Sequence, residues 1–373
     1  MEHGQQRPGF ACTDDPAIAA SLEAMRQLVV ARGGLVHPAA CVEARDGSLR
    51  VICHEPLAQG QPLFKVPDLL LVSIDGLIWS NSDAKMQLAD RPSHLSADQV
   101  ELLDIFVTIY NCSGKLNWVR EQATMVLSRD AEFAAQVDLV RPFHATEAPS
   151  AAAAFLKTRS YSSKHAQAGM ENKTCIMPLI DFMYHHLDGS KYRHADGWLQ
   201  IDASYSARSE ECFINYGEYR DPLALALGHG YLDPHTPFAH SVPLTLDLAG
   251  FGRLQVIGKR LVAKHRADPP KVAFLEDGLS LSHLAGNAQA PHYLAATLRL
   301  AMMASGKRRG IAEAVTERAL AELPTAILAA NRKRLAAFRA YLDTKTELPL
   351  ASLLSDASQF QLANLEKALA VRG

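Results

Sequence analysis

Two short segments near the middle of the chain decide the fold prediction. Residues 178–186 read PLIDFMYHH, residues 214–218 read INYGE, and the dipeptide Gly230-Tyr231 follows shortly after them. Residues 198–201 and 211–215 alternate apolar and polar side chains, which predicts half-buried strands. Both segments therefore lie in a part of the chain that is built from short strands and turns.

The hydrophobic period changes along the rest of the chain. Asp15-Pro16 is a good helix start, and apolar residues then recur at helical spacing up to Gly33-Gly34. The expected class is α+β, with small twisted sheets, a helical insertion and an all-helical C-terminal domain. Strands are predicted near residues 49–67, 198–215 and 242–257, and helices over residues 95–157 and 290–372.

Four features follow one another in the order found in a known family. They are residues 33–38 (GGLVHP), residues 57–67 (LAQGQPLFKVP), residues 158–161 (TRSY) and the two central segments. In this order and spacing the chain resembles the SET-domain lysine methyltransferases, in the branch that contains the Rubisco large-subunit methyltransferase. The resemblance covers nearly the whole chain and implies a SET domain followed by a helical, substrate-binding-like domain.

The resemblance divides the chain into four segments. Residues 1–90 would hold the N-terminal helix and the first part of the SET domain, and residues 91–157 the helical insertion. Residues 158–258 would complete the SET domain with its catalytic core, and residues 259–373 would form the helical C-terminal domain. The C-terminal helices are expected at residues 293–304, 311–322, 327–342 and 360–371.

The resemblance also implies a reaction. In the family, a neutral lysine amine attacks the methyl group of S-adenosylmethionine, and a tyrosine at the mouth of the lysine channel orients the two reactants. Tyr216 occupies the place of that tyrosine, so it is the implied catalytic residue. Tyr231 and His229 stand where the family has residues that line the substrate channel. Taken alone, Tyr216 also suits an ordinary half-buried strand position.

Three residues match the family's cofactor site. Arg159 resembles the arginine that faces the methionine carboxylate, a group that a guanidinium binds in a bidentate way. Asp181 and His185 match the Asp-x-x-Asn-His element that passes beneath S-adenosylmethionine. Without the resemblance, Arg159 could be a surface charge, and the other two could simply cap and pack a turn.

The chain departs from the family pattern at several positions. The Gly-x-Gly turn that approaches the cofactor is replaced by Ser48-Leu49-Arg50, so Leu49 is the residue expected beside the cofactor, and Gly47 is the nearest glycine. Tyr184 stands in place of the asparagine of the Asn-His pair and is expected to fill part of the cofactor pocket. Asp221 replaces the asparagine that usually follows the catalytic tyrosine by five residues.

Composition excludes several classes of protein. The 373 residues are 48% hydrophobic and 21% charged, and the formal net charge is -2. Basic and acidic residues are mixed, which gives no electrostatic surface for nucleic acid. No apolar run is long enough for a membrane helix, and residues 1–8 do not resemble a secretory signal.

Cysteines and histidines give no recognisable metal signature. The six cysteines are scattered without a Cys-x-x-Cys pair, which argues against a zinc cluster or a disulfide framework and fits a reduced cytoplasm. His185, His186 and His194 lie near Asp181, but their spacing matches no zinc motif. We therefore predict a cytoplasmic protein without a metal site.

Three functions stay open at this point. The first is a protein-lysine methyltransferase that uses S-adenosylmethionine and binds a protein or peptide through its helical domain. The second is a catalytically silent SET-like module that binds a protein partner, and the third is an enzyme with altered chemistry on a small molecule. The changed glycines and Tyr184 favour the second and third, whereas Arg159, Asp181, His185 and Tyr216 favour the first.

Overall fold

We describe the fold from a computed structural model of the chain. It describes residues 9–80, 85–91, 93–142, 150–159, 161–163, 173–203, 211–216, 220–258 and 270–370. Ser160, Gly217 and Glu218, which belong to the motifs quoted above, lie outside these residues. The structure is α+β with small sheets and a helical C-terminal region, as predicted.

Strands and helices alternate irregularly along the described residues. The strands are β1 (Ala11–Cys12), β2 (Leu35–Val36), β3 (Ala40–Arg45), β4 (Ser48–Cys53), β5 (Pro62–Pro67), β6 (Val72–Ser73), β7 (Ile78–Trp79), β8 (Leu88–Asp90), β9 (Tyr161–Ser163), β10 (Lys173–Ile176), β11 (Tyr184–Ser190), β12 (Arg193–Ala195), β13 (Trp198–Asp202), β14 (Phe213–Ile214), β15 (Phe238–His240), β16 (Leu244–Leu248), β17 (Gly252–Val256), β18 (Val272–Leu275), β19 (Gly278–Leu281) and β20 (Ala285–Asn287). The α-helices are α1 (Pro16–Ala31), α2 (Ala97–Cys112), α3 (Lys115–Val119), α4 (Ala123–Arg129), α5 (Ala131–Val140), α6 (Ala151–Arg159), α7 (Pro222–His229), α8 (His292–Arg308), α9 (Glu313–Leu342) and α10 (Pro349–Leu369). Short 3-10 helices cover Asp68–Leu70 and Ile180–Phe182.

The chain divides into two compact units. The first comprises Met1–Arg120 with Ala148–Glu218, and the second comprises Glu121–Glu147 with Tyr219–Gly373. The predicted helical insertion, residues 91–157, therefore contributes α4 and α5 to the second unit. The four segments drawn from the sequence divide the chain differently and stay a prediction.

The first unit contains several small sheets, and helices α1 and α2 pack against each other and against strands of these sheets. Strands β12-β13-β5-β2 form one sheet, β1-β3-β4 another and β6-β10-β9 a third. Asp15 caps α1 by accepting hydrogen bonds from the N–H groups of Ala17 and Ile18, with Pro16 in the first turn. Ile18, Leu22, Met25 and Val29 form the buried face of α1, which confirms the predicted helix.

A sharp hairpin joins β3 to β4. Asp46 and Gly47 have φ values of 52° and 74°, which are the left-handed values that a two-residue turn with matching twist requires. Gly47 therefore makes the turn, and β4 begins at Ser48, where the family's Gly-x-Gly would fall.

The two central segments pair with each other in the first unit. Strand β14 lies parallel to β11, with His185 opposite Ile214. A Cβ atom added to Gly189 would lie 2.6 Å from the carbonyl carbon of Ile214 and 2.9 Å from the nitrogen of Asn215. Only glycine leaves room for the chain to cross here, and the crossing fixes the position of residues 213–216 against β11.

The second unit combines two sheets with the C-terminal helices. Strands β16-β17-β19-β18 form the larger sheet, against which α8 and α9 pack, and β15-β20 form the smaller sheet, against which α10 packs. The three helices also pack against one another. The helices begin at His292, so strands β18 to β20 occupy part of the segment that was predicted to be helical. None of the described helices combines the length and the apolar character that a membrane crossing requires.

Two details of the sequence prediction are corrected here. The helices expected at residues 311–322 and 327–342 are one helix, α9, which contains Pro324. Leu323 and Ile327 are fully buried on either side, so packing outweighs the backbone hydrogen bond that proline removes. The structure also joins Cys12 to Cys41 in a disulfide, which the scattered cysteines did not predict.

Candidate functional site

Tyr216 is held against the chain segment that carries the Asp-x-x-x-His element. Its backbone N–H donates to Nδ1 of His185 at 2.8 Å, and its hydroxyl donates to the carbonyl oxygen of Met183 at 2.8 Å. The two rings lie 5.2 Å apart between centroids. Because Nδ1 of His185 accepts a hydrogen bond, that nitrogen carries no proton. The predicted catalytic tyrosine therefore has a fixed ring and a fixed hydroxyl.

Hydrogen bonds to β11 also fix the neighbouring residue, Asn215. Its side-chain amide donates to the carbonyl oxygen of Leu187 at 2.8 Å, and its backbone N–H donates to that of Ser190 at 2.9 Å. These bonds satisfy polar groups of β11 at the crossing next to Gly189. These hydrogen bonds hold the two central sequence segments together, although about thirty residues of the chain separate them.

Asp181 forms the buried centre of the site. It lies in the 3-10 helix Ile180–Phe182, is only 4% exposed, and accepts a hydrogen bond from the hydroxyl of Tyr110. Burial raises the pKa of Asp181 to about 6, although Arg159, Tyr110 and Lys115 each act in the opposite direction. The carboxyl group is therefore close to its titration point near neutral pH.

Arg159 lies beside Asp181, as the sequence predicted for a shared site. Its Nη1 donates to the backbone carbonyl oxygen of Asp181 at 2.8 Å, and the guanidinium stacks on the ring of Phe155 at 5.0 Å. Burial acts against the charge, but Tyr110 and Asp181 outweigh it and hold the pKa of Arg159 above its ordinary value. Its Nε atom is shielded from solvent and has no hydrogen-bond partner among the described residues.

Tyr184 contacts Ser48, which replaces the first glycine of the Gly-x-Gly turn, and Lys115, which the sequence analysis did not single out. Its hydroxyl lies 2.8 Å from Oγ of Ser48 and accepts a hydrogen bond from Nζ of Lys115 at 2.9 Å. Burial opposes ionisation of the phenol, but Lys115 and Ser48 outweigh it and lower the pKa of Tyr184. The phenol thus lies between Ser48 of β4 and Lys115 of α3 and bonds to both. An asparagine at this position would be too short to make the same contacts.

Lys115 is a buried cation. It is 6% exposed, and its ammonium group lies 4.8 Å from the ring of Trp118 and 5.2 Å from that of Tyr184. Burial and then the charge of Arg159 lower the pKa of Lys115. With Asp181 ionised, Arg159 and Lys115 leave the cluster with an excess of positive charge.

Leu49 does not take part in these contacts. It is 1% exposed and points into the core, because side chains alternate along β4 and Ser48 faces Tyr184 instead. A contact between Leu49 and a cofactor stays a prediction. Ser48 is the residue of this strand that reaches the polar cluster.

The other predicted residues belong to the second unit. His229 ends α7 and lies 2.5 Å from Nη1 of Arg220, and its ring is 6.2 Å from that of Tyr231. Their role in a substrate channel stays a prediction. Asp221 has a structural role, because its fully buried carboxylate caps α7 and binds Arg141 and His240.

Sequence reasoning missed Lys115 and Tyr110 as site residues, and at the Ser48-Leu49-Arg50 stretch it named Leu49 rather than Ser48 as the residue beside the cofactor. Tyr110 lies on the buried face of α2, but nothing in the sequence marks its hydroxyl as a partner of Asp181. Lys115 follows Gly114 without any periodic pattern, and 69 residues separate it from Tyr184. Both contacts are non-local, so only the folded chain reveals them.

Comparisons with known proteins find structural similarity only. No protein-family model matches the chain, and no curated protein sequence matches it. The chain is similar to a structure of the SET domain of LSMT bound to lysine and AdoHcy, with 12% identity, a TM-score of 0.43 and coverage of 95% of this chain and 92% of that one. A second structure, with methyl-lysine and AdoHcy, has 12% identity, a TM-score of 0.47 and coverage of 96% and 92%. A structure of Rubisco LSMT bound to AdoMet has 11% identity, a TM-score of 0.46 and coverage of 94% and 91%.

Proposed function

We propose that the protein is an S-adenosylmethionine-dependent protein-lysine N-methyltransferase with a divergent cofactor site. The observation that carries the proposal is the excess of positive charge beside Asp181. The partly buried Arg159 and the buried Lys115 supply two cations, whereas the described residues of the cluster include one carboxyl group. A buried cation without an anionic partner is costly, so the cluster suits a ligand that brings a carboxylate.

The Nε atom of Arg159, which has no hydrogen-bond partner among the described residues, fits that ligand. It is a charged donor, shielded from solvent, and its Nη1 is already fixed on the carbonyl oxygen of Asp181. A carboxylate that binds at this guanidinium would satisfy Nε and offset the charge of Lys115. The methionine part of S-adenosylmethionine carries such a carboxylate, and the sulfonium of the same molecule supplies the methyl group when it is bound.

Tyr216 would position the acceptor. Its hydroxyl is oriented by the carbonyl of Met183, and its N–H is fixed on His185, so the phenol cannot rotate away. A lysine amine placed near this hydroxyl would be held for attack, and most of the rate gain would come from that positioning. We propose a protein or peptide as the substrate, bound through the C-terminal helices, and a cytoplasmic location.

One observation favours a second function. The phenol of Tyr184 is bound to both Ser48 and Lys115, so a cation that could serve a ligand already has a partner. If Tyr184 stays in this position, the protein is a catalytically silent SET-like module that binds a protein partner. The methyltransferase requires that the site bind a nucleoside that carries a carboxylate, whereas the silent module does not.

The test is calorimetric titration with two ligands that differ in the carboxylate. S-adenosylhomocysteine has the amino-acid part, and 5′-methylthioadenosine has the same nucleoside without it. We expect the wild type to prefer S-adenosylhomocysteine by about 10- to 100-fold, the value of one or two charge-assisted hydrogen bonds. Arg159→Met should abolish the preference, and the matched variant Arg91→Met, at a half-exposed arginine, should retain it.

Two results would overturn the proposal. Absence of binding of either ligand by the wild type at millimolar concentration would leave the silent module as the better explanation. Equal affinity for both ligands would show that Arg159 does not receive a carboxylate, and the enzyme would then be sought among activities on other small molecules.

A further inference from the structure

The sheet β1-β3-β4 brings three metal-ligating side chains onto one of its faces. In the antiparallel pair β3–β4, Cys41 lies opposite Ile52, so His54, two residues beyond Ile52, points to the same face as Cys41. In the parallel pair β1–β3, Cys12 lies opposite Glu43, which is two residues beyond Cys41. Strand geometry therefore directs Cys12, Cys41 and His54 to one side.

The ligand atoms of these residues are close enough to share an ion. The two sulfurs and one imidazole nitrogen all lie within 4.8 Å of one another, and Sγ of Cys12 is 3.7 Å from Nε2 of His54. In a tetrahedral zinc site with Zn–S near 2.3 Å and Zn–N near 2.0 Å, a sulfur and a nitrogen ligand are about 3.6 Å apart. The existing distance between Cys12 and His54 thus equals one edge of such a site.

The backbone holds the group together. The N–H of His54 donates to the carbonyl oxygen of Ala39 at 3.1 Å, and that of Val42 donates to Phe10 at 2.8 Å. Cys12 and Cys41 therefore lie on paired strands, and His54 directly follows β4 and is fixed to the neighbouring chain by its own backbone hydrogen bond. Cys41 is buried, Cys12 is half-buried and His54 is exposed, which leaves an open coordination position toward solvent.

We propose that Cys12, Cys41 and His54 form a site for a thiophilic metal ion of the Zn²⁺ type, available when the Cys12–Cys41 disulfide is reduced. Two thiolates and an imidazole are ligands that favour Zn²⁺ over Mg²⁺ or Ca²⁺. The proposal is independent of the methyltransferase function.

The two states of the site exclude each other. A dithiol reductant converts the disulfide to two thiols and is itself oxidised to a disulfide, with two electrons and two protons transferred. Binding of Zn²⁺ to the two cysteines then releases the two thiol protons, and the sulfurs separate to about 3.8 Å, the distance between two thiolate ligands of one zinc. Water would complete the tetrahedron beside His54.

The opposite face of the same sheet provides an internal control. Cys53 lies opposite Ala40, so its side chain points away from Cys41, and its sulfur is 3.3 Å from that of Cys212. In the part of the chain that the structure describes, Cys53 and Cys212 belong to no group of three metal-ligating side chains. Cys53→Ser therefore changes a neighbouring thiol without touching the proposed site.

The test uses the full-length protein in its reduced and its oxidised form. After reduction and removal of the reductant under anaerobic conditions, Zn²⁺ is titrated against a chromophoric chelator, and Co²⁺ binding is followed by its thiolate charge-transfer absorption. We expect the reduced wild type to bind one equivalent and the oxidised protein to bind none at this site. Cys12→Ser and His54→Gln should each weaken binding by about 100-fold, since loss of even an outer partner costs 10- to 100-fold.

Controls separate loss of a ligand from loss of the fold. Cys53→Ser and Cys112→Ser, the latter at an exposed free cysteine, should bind zinc as the wild type does. Circular dichroism of each variant shows whether it is folded, and His54, as an exposed residue, can be replaced with little structural effect. Failure of the reduced wild type to bind zinc, or retention of full affinity by either ligand variant, would show that the cysteines form a structural disulfide only.

Discussion

Replacement of Tyr216 by phenylalanine separates positioning from packing at the candidate site. The variant loses one hydroxyl that donates to the carbonyl of Met183 at 2.8 Å, and it keeps both the ring beside His185 and the backbone bond to Nδ1. Loss of the hydrogen bond leaves the buried Met183 carbonyl without that donor, so the free energy of unfolding should fall by about 1–2 kcal/mol.

The effect on methyl transfer should be larger than the effect on stability. If the hydroxyl orients the amine and the methyl group, its loss should cut turnover on the order of 100-fold, which corresponds to about 3 kcal/mol of transition-state stabilisation. Donor affinity should stay within about twofold of the wild type, since neither Arg159 nor Asp181 changes.

The assay measures transfer of a labelled methyl group from S-adenosylmethionine to proteins of a cell lysate at saturating donor. Urea unfolding of the same preparations gives the stability difference, and Tyr293→Phe, at a tyrosine that is 69% exposed, serves as the control. Equal initial rates for wild type and Tyr216→Phe would refute the assigned role of Tyr216. Absence of labelling by the wild type would favour the silent module.

Three further predictions concern the polar cluster. Tyr184→Asn together with Ser48→Gly should strengthen binding of S-adenosylhomocysteine, because it removes the phenol and frees Lys115, and unchanged or weaker binding in calorimetry would indicate a site adapted to another ligand. Donor binding should also tighten as the pH falls through about 6, because protonation of Asp181 removes the negative charge beside Arg159; a flat profile from about pH 7.5 to about pH 5.5 in the wild type would contradict this. The raised pKa means that the folded state binds the proton more tightly than the unfolded state, so Asp181 makes the fold less stable as the pH rises from about 4 through about 6, and Asp181→Asn should remove this dependence.

Local patterns of the sequence predicted local structure well. The cap at Asp15, the buried stripe of α1 and the strands near residues 49–67, 198–215 and 242–257 are confirmed, because each depends on neighbours within a few residues. The motif resemblance also brought Arg159, Asp181, His185 and Tyr216 into one part of the chain, and the structure places them together.

Contacts between distant residues could not be predicted in this way. Lys115 lies beside Tyr184 because α3 packs near β4 and β11, and no pattern around residue 115 encodes that packing. The disulfide between Cys12 and Cys41 depends on a parallel pairing of two-residue strand β1 with β3, which is too short to be read from alternation. Two separate helices were predicted at residues 311–322 and 327–342, but the burial of Leu323 and Ile327 keeps α9 continuous through Pro324.

The close crossing at Gly189 makes the candidate site depend on a contact between distant parts of the chain. Residues 213–216 have their hydrogen-bond partners on β11, so the crossing requires closure of the intervening chain, which contains β12 and β13. In a chain that has folded everywhere except at this crossing, Tyr216 would not reach His185 and Met183, so the candidate site would not be formed. Activity, if present, would then report on completion of folding as much as on chemistry.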